Sequence, residues 1–246
     1  RMTSPIKADP MGEAILHHLT HQSNHTLEVH SSMFETDEIP VDQLFRKLTE
    51  MPAIEQKALQ YCKGHILDVG AGAGCHTLEL EKKGYRVTSI DISKLSTEAR
   101  RMQGAKDARC IDFFNEETLQ DERFDTILML MNGLGLAGSL KGLPRLLTRA
   151  RELMAKGGQI LADSSDLLFI FDNGDGTYSF PEHTAYYGEV DYSMTYGPTC
   201  GEQFKWLYVD YETLANVATL CGLKAELMAE GDSHDYLCRL TEATPN

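Results

Sequence analysis

The stretch ILDVGAGAGCHTLEL, residues 66–80, sets Gly70, Gly72 and Gly74 between an apolar run and the start of a helix. Glycines ahead of a helix N-terminus leave backbone N–H groups free at its positive end, which suits a polar or anionic ligand group pressed against the main chain. The phosphate-binding form GxxxxGK[ST] is absent, because no Lys-Ser or Lys-Thr follows the glycines. The dinucleotide pattern GxGxxG also fails: from Gly70 its last position is Cys75, and from Gly72 it is Thr77. What remains is Asp-x-Gly-x-Gly-x-Gly, with Asp68 two residues before the first glycine. A carboxylate there opposes a pyrophosphate and suits a ligand bearing an ammonium group, either by bonding that group or by fixing the loop's own amides.

Downstream, short apolar runs alternate with amphipathic stretches, the pattern of βα units around a parallel sheet. Strands are expected at about 65–69, 86–90, 108–111, 124–131 and 158–163, and helices at roughly 75–83, 95–103 and 140–155. The run Thr126 to Met131 shows no polar alternation, as in a central strand covered on both faces. The second strand ends in SIDIS, where Asp91 can accept both hydroxyls of a ribose and Ser93 can cap the next helix. The third ends in CIDFF, where Asp112 can accept from an adenine amino group and Phe113 can cover the ring. Three successive strand ends thus offer partners for an amino acid, a ribose and a base.

In this order the motifs resemble the class I S-adenosylmethionine-dependent methyltransferases. LDVGAGAG is similar to their first motif, SIDIS to the acid of the second strand, CIDFF to the adenine-side acid, FDTILMLMNGLG to the fourth-strand motif and LMAKGGQILAD to the approach to the fifth. The resemblance spans roughly Gly64 to Leu240 and implies S-adenosyl-L-methionine as cofactor. It would put Gly70, Ala71, Gly72 and Gly74 in the cofactor loop, Asp91 and Ile92 at the ribose, Asp112 and Phe113 at adenine, and Asn132 near the methionine moiety. The Asn-Pro-Pro-Tyr type of tetrapeptide is missing, since the fourth strand runs into Met131-Asn132-Gly133-Leu134-Gly135, which weakens a nucleic-acid-base or protein-glutamine acceptor.

The resulting expectation is one α/β domain, a Rossmann-like doubly wound sheet, mostly parallel with an antiparallel edge strand, plus N-terminal helices and an inserted β-hairpin. Residues 1–62 would be a helical cover, broken near Ile39-Pro40 and restarting at Met51-Pro52, and residues 63–163 the cofactor-binding half. Residues 164–208 would be the insertion, where Val190, Tyr192, Met194 and Tyr196 alternate with polar residues and Phe204, Trp206 and Tyr208 alternate beyond a Gly-Pro turn. Its aromatic face suits either a substrate wall or packing on its own domain or a dimer mate. Residues 209–246 would add a helix at about 211–221 and edge strands at 224–229 and 236–240.

A net charge of −14 argues against nucleic acid or an anionic membrane as partner, and no apolar run approaches the roughly 20 residues of a membrane span. Six scattered cysteines without a CxxC pair read as reduced thiols, and with no leader pattern the expected location is cytoplasmic. His17, His21 and His25 recur every four residues and would share a helix face, but without HExxH they read as a polar face, so no metal is expected. Asp172 to Gly176 reads as a turn. Arg46 is either a surface residue or, beneath a covering N-terminal segment, a partner for the cofactor's carboxylate. The acceptor is expected to be a small molecule, and a homodimer is possible. The alternatives are a non-catalytic binder of the same cofactor and a nicotinamide-dependent dehydrogenase.

Overall fold

The computed structural model describes residues 7–182 and 185–244; what was expected of residues 1–6, 183–184 and 245–246 lies outside them. In chain order the elements are α1 (Pro10–Leu19), β1 (Leu27–Ser31), β2 (Asp37–Ile39), α2 (Ala53–Tyr61), β3 (Ile66–Val69), α3 (Cys75–Lys82), β4 (Val87–Asp91), α4 (Lys94–Met102) and β5 (Ala108–Cys110). There follow β6 (Phe124–Met129), α5 (Leu143–Leu153), β7 (Met154–Ser165), β8 (Glu189–Tyr196), β9 (Thr199–Cys200), β10 (Phe204–Leu207), α6 (Tyr211–Leu220), β11 (Leu223–Glu230) and β12 (Asp235–Glu242). No helix among them is long and apolar enough to cross a membrane.

The main sheet has the order β11-β12-β7-β6-β3-β4-β5. From β7 to β5 every pairing is parallel, while β12 runs antiparallel to both β7 and β11. Strand order reverses at β3, whose neighbours are β4 and β6, so loops leave in opposite directions there and open a crevice at the carboxyl edge. The unalternating run through β6 explains itself by parity: Ile127 and Met129 enter one buried cluster with α5 and α6, while Leu128 and Leu130 enter another beneath α2 and α3. Both faces are covered, so both parities must be apolar.

The N-terminal segment is not wholly helical. Residues 27–39 form β1 and β2, and β1 pairs antiparallel with β8, from Leu27 opposite Tyr196 to Ser31 opposite Tyr192. The expected hairpin exists, with Tyr192 opposite Phe204 and Val190 opposite Trp206, but it is part of a five-stranded second sheet ordered β10-β8-β1-β2 with β9 on β8. An extended N-terminal segment leaves edge N–H and C=O groups that require a partner, and β8 supplies it.

Candidate functional site

The loop after β3 turns through three left-handed glycines, with φ of +66° at Gly70, +52° at Gly72 and +88° at Gly74. A Cβ added at Gly70 or Gly72 would meet nothing within 4 Å, whereas one at Gly74 would lie 2.9 Å from Arg100 Cγ. The first two glycines therefore border open space, and the third permits close packing on α4. The Gly72 N–H donates to Asp91 Oδ2 at 2.9 Å, and the Ser93 N–H donates to Asp91 Oδ1 at 2.8 Å. Each carboxylate oxygen keeps a lone pair beyond these bonds. Ile92 beside it is 77% exposed.

Ser93 caps α4 as expected, its hydroxyl accepting from the Ser96 N–H at 3.0 Å. The same hydroxyl donates to Asp9, which caps α1 by accepting from the Gly12 N–H. That chain of bonds docks α1 against the rim of the crevice beside Asp91.

Asp68 is buried, and its Oδ2 accepts the Thr77 hydroxyl at 2.7 Å, so it ties β3 to α3 rather than bonding the loop's amides. Burial raises its pKa, against the opposing pull of His76 and the Thr77 bond. Asp112 is exposed, with Oδ1 accepting from the Phe114 N–H at 2.9 Å. Phe113 does not present its ring to a base. Past the end of β5 the chain turns and buries that ring in the main core under the Arg149 guanidinium, 5.9 Å from its centroid. Half-buried Phe114, with Arg145 4.5 Å over its ring, is the aromatic side chain left beside Asp112.

Beyond β6, Met131 and Asn132 are both left-handed, with φ of +63° and +54°, a strain of about 1–2 kcal/mol at Met131 and less at Asn132, whose side chain tolerates this region. Three contacts hold the turn. The Ser165 hydroxyl donates to Asn132 Oδ1 at 2.7 Å, the Trp206 indole N–H donates to the Asn132 carbonyl at 3.0 Å, and the Gly133 N–H donates to Asp163 at 3.2 Å. The indole covers Gly135, where a Cβ would fall 1.9 Å from Nε1, so Trp206 packs on its own chain. Burial pushes the Asp163 carboxyl up to about 7, against the hydrogen bonds from Gly133 and Asn132.

Arg46 is not a surface residue. Its guanidinium and the His76 imidazole share Glu55 Oε1, with all three side chains at 10% exposure or less. Burial lowers the His76 pKa, but hydrogen bonds to Cys75 and Glu55 and the charges of Cys75 and Asp68 outweigh it and raise it to about 10. Burial likewise opposes ionisation of Glu55, yet His76 and Arg46 hold its pKa below the ordinary value. Arg46 and His76 thus meet over one carboxylate at the first turn of α3, next to the glycine loop.

Neither Glu55 nor His76 carries a local signal in the sequence, and the cluster exists only because the N-terminal segment folds back onto α3. Asp163 did carry one: it is an acid near the carboxyl end of a strand, like Asp68, Asp91 and Asp112. The histidine spacing has no helical meaning, because α1 ends at Leu19 and His21 is left-handed. His17 instead meets the Tyr196 hydroxyl at 3.1 Å, and His25 packs edge-on against the same ring. Asp172 and Asp175 accept from the Gly174 and Thr177 N–H groups, forming the expected turns.

Residues 66–158 match a family model described as a methyltransferase domain. The crystal structure of a SAM-dependent methyltransferase from Bacteroides fragilis in complex with S-adenosyl-L-homocysteine is 46% identical, with 98% of each chain covered and a TM-score of 0.91. The CcbJ methyltransferase from Streptomyces caelestis has the same fold at 15% identity, covering 79% of this chain and 91% of that one, with a TM-score of 0.61. So does the sugar N-methyltransferase KedS8 from Streptoalloteichus sp ATCC 53650, at 14% identity, 78% and 85% coverage and a TM-score of 0.54. No curated protein matches the chain.

Proposed function

Because the chain belongs to the class I S-adenosylmethionine-dependent methyltransferase family, we propose that it transfers a methyl group to a nucleophilic atom of a small organic acceptor. The observation that carries this reading is the open space over Gly70 and Gly72 with Asp91 bonded to the same loop, a cradle that fits an adenosine bearing an amino acid. S-adenosylmethionine supplies an already activated methyl on its sulfonium. The protein's part is then to orient the two reactants and exclude water.

In this reading Asp91 accepts from the ribose hydroxyls and exposed Asp112 from the adenine amino group. Phe113 contributes only its backbone there. Arg46 and His76, which meet over Glu55, receive the α-carboxylate of the methionine end, and Asp68 holds the strand and helix that frame it. Asn132 holds the turn that borders the reacting corner, clamped by Ser165, Trp206 and Asp163. The second sheet covers the acceptor side, since β10 meets that turn through Trp206. KedS8 acts on a sugar, so this fold accommodates acceptors of that size. The net charge of −14 favours such an acceptor over a nucleic acid.

Calorimetry with S-adenosylmethionine and S-adenosylhomocysteine tests the cofactor assignment, and binding of neither overturns it. Release of S-adenosylhomocysteine across a panel of small amines, alcohols and thiols tests the transfer. Binding without release on any acceptor class favours the non-catalytic alternative.

A further inference from the structure

Arg100 is fully buried, at 0% exposure, under the glycine loop. Its four hydrogen bonds go to the Ser89 hydroxyl at 2.9 Å, the Gly72 carbonyl at 3.0 Å, and the Thr97 hydroxyl and Arg109 carbonyl at 3.4 Å each. None goes to a carboxylate. A buried cation without a directly bonded anion is costly, and an apolar side chain of similar volume fills such a site at less expense. What the guanidinium adds is its grip on the loop.

The Gly72 residue is held at both ends: its N–H donates to Asp91 at 2.9 Å, and its carbonyl accepts from Arg100. At the C-cap of α4, three residues on, Gln103 Nε2 donates to the Ala73 carbonyl at 2.7 Å. Two successive carbonyls are thereby drawn towards α4. In a planar trans peptide the N–H points opposite to the C=O, so the Ala73 N–H is directed away from that helix. Gly74 completes the fit, because its missing Cβ lets the Arg100 stem lie against the backbone.

We propose that Arg100 is a positioning residue of the cofactor site: from beneath, it holds the Gly72 peptide in the conformation that receives S-adenosylmethionine, in tandem with Asp91. The proposal rests on the methyltransferase reading. It adds a residue of α4 that touches no ligand and acts through the loop.

The test measures S-adenosylhomocysteine affinity by calorimetry, at a temperature where circular dichroism shows each variant folded. Arg100→Met is expected to weaken binding about tenfold, as is Gln103→Leu, with the double variant weakened only about ten- to thirtyfold because the two side chains fix the adjoining carbonyls of Gly72 and Ala73. A purely structural role leaves the affinity of the folded Arg100→Met protein at the wild-type value. Unchanged affinity, or a double variant weakened about a hundredfold as independent effects require, overturns the proposal. Where Arg100→Met does not fold, Arg100→Lys takes its place in the same cycle: an ammonium cannot span Gly72 and Ser89 as the planar fork does, so about fivefold weaker binding is expected. Failure of the wild type itself to bind refutes the methyltransferase reading instead.

Discussion

Replacing Asp163 by Asn tests whether a buried acid near the reacting corner is held against its own ionisation. Burial pushes this carboxyl from the ordinary 3.8 up to about 7. Between those values the folded state holds a proton that the unfolded chain has already released, so folding stability falls as pH rises through the window and levels off above it. Three pH units at about 1.36 kcal/mol each give a penalty of about 4 kcal/mol at pH 8, an upper figure because local relaxation lowers it. Asparagine keeps an oxygen to accept from the Gly133 N–H at 3.2 Å and carries no charge. Asp163→Asn is therefore expected to match the wild type near pH 4 and to exceed its stability by about 2–4 kcal/mol at pH 8. Urea denaturation of both proteins at half-unit steps from pH 4 to 8 reads the difference directly. Titrating groups that do not feel the Asp163 charge cancel in that difference. A difference that stays flat, or that falls with pH, refutes the reasoning.

Three further outcomes follow from the same geometry. Gly70→Ala faces open space and is expected to cost about 1 kcal/mol for its left-handed φ while weakening S-adenosylhomocysteine binding, whereas Gly74→Ala also strikes Arg100 and loses more in a thermal melt. Trp206→Ala removes the half-buried indole from Gly135 and the Asn132 carbonyl and should cost about 2–3 kcal/mol by urea denaturation; a loss under about 0.5 kcal/mol contradicts the packing described. Glu55→Gln strips the carboxylate from two buried cations and should cost about 3–5 kcal/mol at pH 6. The His76 stabilisation is complete below its unfolded value of 6.5 and is lost as pH rises through about 10, so that cost should shrink over this window, as denaturation at pH 6 and 10 would show.

Five parallel strands, the glycine loop and the acids at their ends were legible along the chain because each is encoded locally. Apolar runs set the strands, glycine supplies positive φ, and the residue ending each strand is a matter of counting. Asp91 and Ser93 stand in the structure where such counting leads. Phe113 shows the limit: its position in the motif was readable, but only the turn beyond β5 decides that its ring enters the core and that Phe114 stays at the edge. The second sheet was hidden for a different reason. β1 has only five residues, and its strand identity comes from β8, more than 160 positions away, so no local window contains the partner. The same holds for Arg46, Glu55 and His76. Three separate segments bring them together, and only their mutual burial turns an arginine that read first as a surface residue into half of a cationic pair around one carboxylate. Local chemistry thus determined the sheet and the glycine loop, while long-range pairing and shared desolvation decided what covers that loop and which charges surround it.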